Sequence, residues 1–314
     1  MILTVGSPVQ RWFDDEIVIN FLAAKGARSH HTRENYDRDI QNFRGYLSLE
    51  FDAGPDETLR QVDVAHVAEY HAHLVEGVLL GELSERTVNR RMAAVSSLFR
   101  WCLKPAHRKY TGILHNPVDV ERYRVESSLA ERVLSEDQVL KLLEISANPP
   151  NRRFKHPQRN AALCRFLYSS GCRVSEVVIL KWKHFSIAGG GQVITQITGK
   201  GGKRRYVRLS AETWKALKEM DVPQGKNDPV FPNLVTSEPM TRDGIAKIVK
   251  RCGKLIDVPN LSPHIFRHSH ATHAVRRGVP LDLVKDTLGH SSIATTQIYL
   301  KANPSDSSGL HLVV

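Results

Sequence analysis

The feature that most constrains the fold of this chain is a gap. Between residues 110 and 132 the apolar periodicity of the flanking sequence stops, Asn116-Pro117 breaks any helix, and "ERYRVESSLAER" is polar and charged. With 314 residues the chain is long enough for two domains that each bury a core. The gap divides it into residues 9–112 and 133–303, with 113–132 as linker and 304–314 as a short tail.

The first segment reads as a bundle of helices. "TRENYDRDIQNFRGYL" sets Tyr36, Ile40, Phe43 and Leu47 on one stripe at helical spacing. "SERTVNRRMAAVSSLFRWC" does the same with Val88, Met92, Val95, Phe99 and Cys102, and Ser84 stands where an N-cap belongs. The polar faces of these two helices carry Arg33, Arg38, Arg44, Arg86, Arg90 and Arg91. Charge on a solvated face is ordinary, but the one-sided sign suggests a surface that meets phosphates.

The second segment mixes periods. Ser135 caps "EDQVLKLLEIS", whose Glu136 and Asp137 suit the positive end of a helix dipole. "RNAALCRFLYSS" is a further apolar helix closed by Gly171. "WKHFSI", "QVITQIT" and "RRYVRLS" alternate like short strands, with a turn at residues 199–202 between the last two. Helices return over 211–220, 242–255, 263–277, 280–288 and 292–301. The expected class is mainly α with a small antiparallel β-sheet: a helical N-terminal domain and an α+β C-terminal one.

Composition narrows the partner. The formal net charge is +11, which attracts polyanions, nucleic acid foremost. No apolar run has the length of a membrane span and no signal pattern opens the chain, so a cytoplasmic protein with no membrane partner is expected. Cys102, Cys164, Cys172 and Cys252 form no C-x-x-C pair and read as small buried hydrophobes rather than disulfide or zinc ligands.

Three places in the second segment carry cations that the fold does not demand. In "SSGCRVSEVVILKW", Arg173 opens a helix just after Gly171, with Glu176 three residues on. An Arg–Glu pair that only ties two helices together is the plain structural reading. In "TGKGGKRRYVR", a glycine-flanked hairpin tip presents Lys200, with Lys203, Arg204 and Arg205 behind it; solubility alone often places lysines there. The G-x-x-x-x-G-K-[ST] spacing of a phosphate loop is absent. In "LSPHIFRHSHATHAV", Ser262 and Pro263 start a helix whose first turns bring His264 and Arg267 to one face.

His264, His268, His270 and His273 also invite a metal reading, and the i, i+4 pair has zinc-helix spacing. The glutamate of H-E-x-x-H is missing and no carboxylate stands near, so anion binding is the better reading and no metal or cofactor is expected. Arginines and histidines can stabilise the charge of a phosphoryl group in transfer, and a lysine can protonate the leaving oxygen. A phenol, with an ordinary pKa of about 10, becomes a nucleophile among cations that favour its phenolate. Tyr299, in "LGHSSIATTQIYLKA", is the phenol that such a set would use.

"SGCRVSEVVILKW", "ITGKGGKRRYVRL", "SPHIFRHSHATH" and "LGHSSIATTQIYLKA" resemble, in order and spacing, the boxes of the tyrosine site-specific recombinases, the phage integrase family, in a layout most like its Xer-type members. The resemblance implies that the N-terminal helices are a core-binding domain and that 133–303 is the catalytic domain. It implies that Arg173 and Arg267 clamp the scissile phosphate and that Lys200 is the general acid, with Lys203 the second candidate. It implies that His264 assists proton transfer, that His290 hydrogen-bonds the phosphate, and that Tyr299 attacks to give a 3′-phosphotyrosyl link. Glu176 would orient rather than react. Double-stranded DNA is the implied substrate, a homotetramer on two sites the implied assembly, and a partner recombinase or accessory protein a further participant. His184 stands where an Asp is common, and "YLKANPSD" replaces a more usual Thr-His after the tyrosine.

One competing class remains. "PLDLVKDTLGHSSIATTQIYL" also has a helix-turn-helix pattern, with Gly289 in the turn and Thr295, Thr296 and Gln297 facing DNA. A DNA-binding protein without cutting activity would then use Tyr299 only for packing. That reading leaves Arg173, Lys200, His264 and Arg267 unexplained.

Overall fold

A computed structural model describes residues 16–27, 30–48, 55–124, 133–150, 154–290, 292 and 294–297; the side chains of residues 30, 31, 55–57, 200, 294 and 297 lie outside that description. The chain forms two compact units, 1–126 and 127–314.

The first unit is helical: α1 (Glu16–Gly26), α2 (His30–Leu47), α3 (Pro55–Gln61), α4 (Val64–Leu79), α5 (Glu85–Cys102) and α6 (Pro105–Thr111). The stripes read from sequence point inward. Ile40, Phe43 and Leu47 of α2 and Val88, Met92, Val95, Phe99 and Cys102 of α5 are all buried. Each such side chain removed from water stabilises by about 1.5–3 kcal/mol. Phe21 of α1 meets Tyr36 and Trp101 edge-on, at ring separations of 5.4 and 6.0 Å. Ser84 caps α5 by accepting from the Thr87 N–H at 3.2 Å.

Residues 113–124 belong to this unit. Ile113 is buried, Val118, Val120 and Tyr123 pack on the helical core, and Asn89 holds the Tyr123 backbone by two hydrogen bonds of 2.8 and 3.0 Å. Isolated apolar side chains on extended backbone have no period, so the sequence showed this stretch only as a gap.

The second unit opens with α7 (Glu136–Ala147), which Ser135 caps as expected, the Gln138 side chain returning the bond to the Ser135 N–H. Then come α8 (Pro157–Ser170), α9 (Val174–Val178), the strands β1 (Phe185–Ile187), β2 (Val193–Thr198) and β3 (Arg204–Leu209), and α10 (Ala211–Lys218). The strands pair antiparallel in chain order, with Phe185 opposite Thr195 and Thr195 opposite Val207. Strand β1 is shorter than "WKHFSI" suggested. Trp182–His184 is a 3-10 turn, closed by the His184 N–H donating to the Lys181 carbonyl at 2.9 Å, and the His184 ring accepts the Lys181 N–H at 3.1 Å. At the β2–β3 tip Gly201 and Gly202 have φ of +74° and +77°, in the left-handed region that favours glycine.

After α11 (Arg242–Lys254), α12 (Pro263–Arg276) packs on α8 and on α13 (Leu281–Leu288), followed by α14 (Ala294–Gln297). Helix α12 buries residues on several sides, including Phe266, Arg267, Ser269, Ala271 and His273, so it runs through the unit rather than along its surface. Ser262 occupies its N-cap position, but its side chain makes no capping bond. All four cysteines are buried and none is in a disulfide. Among the described residues no helix is long and apolar enough to cross a membrane.

A candidate active site at the ends of three helices

The C-terminus of α8, the C-terminus of α13 and the N-terminal half of α12 converge on one guanidinium. Arg267 is buried, and it donates from Nη1 to the Gly171 carbonyl at 2.6 Å and from Nη2 to the Leu288 carbonyl at 2.8 Å. Carbonyls at a helix C-terminus lack intrahelical partners and carry the negative end of the dipole, so a buried cation is well placed there. Gly171 permits the approach. It ends α8 at φ +59°, and a Cβ on it would lie 2.7 Å from Leu288 Cδ2 and 2.9 Å from His270 Cδ2.

Arg173 follows two residues later and caps the start of α9. Its side chain is 36 % exposed, and Nη1 reaches Glu176 Oε1 at 3.2 Å. The plain Arg–Glu pair is therefore present, but it is the lesser part of the arrangement. Glu176 is 3 % exposed and receives both Nη atoms of Arg205, at 2.8 and 2.7 Å, together with the Arg173 backbone N–H at 2.8 Å. Burial pushes the Glu176 carboxyl up. Arg205 and the Arg173 N–H more than offset that and hold it below its usual value, so it stays ionised.

Arg205 requires a correction. Sequence placed it with Lys203 and Arg204 as a DNA-facing cation; its side chain is instead 12 % exposed, turned inward onto Glu176 and, through Nε, onto the Thr287 carbonyl at 2.7 Å. The signal was in the strand alternation. Arg205 shares parity with Val207 and Leu209, which are buried, whereas Arg204, Tyr206 and Arg208 are exposed. Lys203 and Arg204 are exposed as expected.

Gly289 ends α13 at φ +67°, its N–H bonded to the Asp286 carbonyl and the His290 N–H to the Lys285 carbonyl, both at 3.1 Å. The turn delivers His290, whose Nδ1 lies 2.9 Å from Thr296 Oγ1. Burial, then the charges of Arg267, Arg173, Arg205 and His268, push His290 down to about 4, so its ring is neutral at pH 7. His264, exposed at the start of α12, is lowered by desolvation and by Arg267 and Arg173. The arginines Arg267 and Arg173 act on both histidines, which makes the locus receptive to an anion.

The fold thus gathers Arg173, Glu176, His264, Arg267 and His290 from three separate stretches of sequence, and adds Arg205. Lys200 opens the 3-10 turn at the β2–β3 tip; its side chain, and Tyr299 altogether, lie outside the described residues. The helix-turn-helix reading fails at Thr296, which is fully buried against His290 instead of facing outward. His270 and His273 of the metal reading are engaged by Tyr168, through its carbonyl at 2.8 Å and its hydroxyl at 2.9 Å.

In the first unit Arg33, Arg38 and Arg86 are exposed and Arg91 is half-buried. One assignment there needs correction. Arg44 is 2 % exposed, because the helical turn that puts Ile40, Phe43 and Leu47 inside also carries position 44 into the core. Arg90 is exposed as expected and is also held by buried Asp39, at 2.5 and 2.6 Å to the two carboxylate oxygens. A cavity of about 340 Å³ lined by Lys155, Arg159, Lys247 and Arg251 lies at the other end of α8. At 1.5 Å per residue that is about 20 Å from the arginine cluster, so it is no part of this site.

The model of the phage integrase family matches residues 132–306, more than half of the chain, and that of the phage integrase N-terminal SAM-like domain matches residues 19–105. The chain is a tyrosine recombinase of the phage integrase family. Tyrosine recombinase XerC of Pelobacter propionicus (strain DSM 2379 / NBRC 103807 / OttBd1) is 30% identical to it over 274 residues, covering 86% of this chain and 84% of the relative. Tyrosine recombinase XerD of Rickettsia bellii (strain RML369-C) is 27% identical over 312 residues, 93% of this chain and 96% of the relative. Among solved structures, the XerH site-specific recombinase bound to palindromic difH substrate in a post-cleavage complex matches with a TM-score of 0.69 and 27% identity. That match covers 89% of this chain and 78% of the other. The recombinase is accordingly a DNA strand-cutting and rejoining enzyme of Xer type, with the mainly helical, two-domain fold expected from its sequence.

Proposed function

We propose that the recombinase cuts DNA through Tyr299, with Arg173 and Arg267 holding the scissile phosphate. The observation that carries this reading is the convergence of Arg267, Arg173 and neutral His290 around the ends of α8, α12 and α13. The Tyr299 oxygen attacks phosphorus, a 3′-phosphotyrosyl bond forms, and the bond from phosphorus to the 5′-oxygen breaks. Lys200, at the hairpin tip, gives its proton to that leaving oxygen, with Lys203 as the second candidate. His264 assists proton transfer. His290, uncharged, hydrogen-bonds a phosphate oxygen. The phosphotyrosyl bond keeps the energy of the phosphodiester, so the 5′-hydroxyl of a second strand displaces the tyrosine without a nucleotide cofactor or a metal.

Double-stranded DNA is the substrate, and four copies on two sites are the assembly, with a second recombinase or an accessory protein as a further participant. Exposed Arg33, Arg38 and Arg86, half-buried Arg91, and Lys203 and Arg204 contact the DNA backbone. The enzyme works in the cytoplasm, on the nucleoid.

The test is a covalent trap. Wild type and Tyr299→Phe are incubated with fragmented host DNA and with nicked duplexes, denatured, digested and examined by mass spectrometry. A nucleotide adduct on the Tyr299 peptide, absent in the variant, is expected. DNA binding with no adduct on any substrate would instead make this a recombinase fold that binds without cutting.

A further inference from the structure

Arg205 is used by neither the phosphate clamp nor the proton transfers above, yet it meets the segments that carry Arg173, Lys200 and His290. Its Nη atoms grip both oxygens of Glu176, which in turn accept the backbone N–H and Nη1 of Arg173. Its Nε holds the Thr287 carbonyl, three residues before His290. Gly289, between them, lies so close that a Cβ there would sit 3.2 Å from Arg205 Cδ and Nη1. At the hairpin, a Cβ on Gly199, the neighbour of Lys200, would lie 3.3 Å from Glu176 Oε1 and 3.8 Å from Arg205 Nη1.

We infer that Arg205 is a positioning residue of the strand-cutting reaction, fixing Arg173, the Lys200 hairpin and His290 relative to one another through Glu176 and the Thr287 carbonyl. The inference rests on the catalytic reading proposed above. Three segments that no regular hydrogen-bond ladder connects are joined at one planar group. Only guanidinium does this: its fork meets a carboxylate with two parallel bonds while Nε remains for a third partner. A lysine ammonium keeps the charge but not the fork, so Arg205→Lys separates geometry from electrostatics. A misplacement of about 1 Å among reacting groups costs about 10²-fold in rate.

The experiment measures single-turnover cleavage and DNA affinity for full-length wild type, Arg205→Lys and Arg205→Ala. The substrate is a nicked duplex of the sequence recovered by trapping the wild type, and thermal melting checks that each variant is folded. Cleavage is expected to fall about 100-fold in both variants, with affinity within about threefold of wild type. Added guanidinium, but not methylammonium, restores at least about tenfold of the Arg205→Ala rate, because only the fork refills the site. Wild-type cleavage rates in folded variants would overturn the inference. So would parallel losses of rate, affinity and melting temperature with no guanidinium rescue, which mark a residue that only supports the fold. If wild type binds DNA but leaves no adduct on Tyr299, the catalytic reading falls and this inference with it. An adduct in wild type, with variants equal to it, sinks this inference alone.

Discussion

Gly171 occupies the tightest point of the arginine cluster, and its replacement by alanine would meet two obstacles. The backbone at φ +59° disfavours any Cβ, and the Cβ would strike Leu288 and His270 side chains at 2.7 and 2.9 Å. Gly171→Ala is expected to cost about 2–4 kcal/mol. In a unit of this size that lowers the midpoint of thermal unfolding by roughly 4–16 °C. His290 supplies a second expectation at this scale. Its folded value is about 4 against an ordinary 6.5, so between these pH values the unfolded chain binds a proton that the folded one refuses. Stability therefore rises with pH across that window and is lost as pH falls from about 6.5 towards 4. Other histidines lowered by desolvation and by neighbouring arginine charge, His264 and His270 among them, add to the slope. Melting curves from pH 7.5 to 4.5 are expected to show a shallower dependence in His290→Gln, by up to about 1.4 kcal/mol per pH unit.

Two serines at helix starts look equivalent in sequence and differ in the fold. Ser135 accepts the Gln138 N–H at 3.1 Å while the Gln138 side chain accepts the Ser135 N–H at 2.9 Å. Ser262 stands at the same position of α12 with no side-chain capping bond. Ser135→Ala is thus expected to cost about 1 kcal/mol and Ser262→Ala less than about 0.5 kcal/mol, as read by denaturant unfolding. The same contrast holds for strands. Periodicity placed β2 and β3 correctly, and a closer count of β3 would have turned Arg205 inward. It did not show that residues 182–184 fold into a turn, which the His184 N–H closes on the Lys181 carbonyl.

At the scale of the whole molecule, the charge of +11 makes DNA affinity salt-dependent, but the arginines do not contribute alike. Arg86 is exposed, whereas Arg44 is buried in the helical core. Removing a phosphate contact lowers the slope of log affinity against log salt by about 1. Arg86→Ala is expected to do so with unchanged stability. Arg44→Ala is expected to leave the slope as it is and to lower the unfolding midpoint. Filter binding across salt concentrations, paired with thermal melts, separates the two.

The two-part division, the apolar stripes, the positions of β2 and β3 and the four motifs that carry Arg173, Glu176, His264, Arg267 and His290 were legible in the amino-acid sequence. Periodicity and short motifs are local properties, written in neighbouring residues. Which cations are held within the protein was settled only on folding. Arg205 on Glu176 and Arg90 on Asp39 each depend on a partner distant in the chain. An arginine's reach is long enough to face water or to fold back, and the partner that settles the choice is known only when the chain has folded.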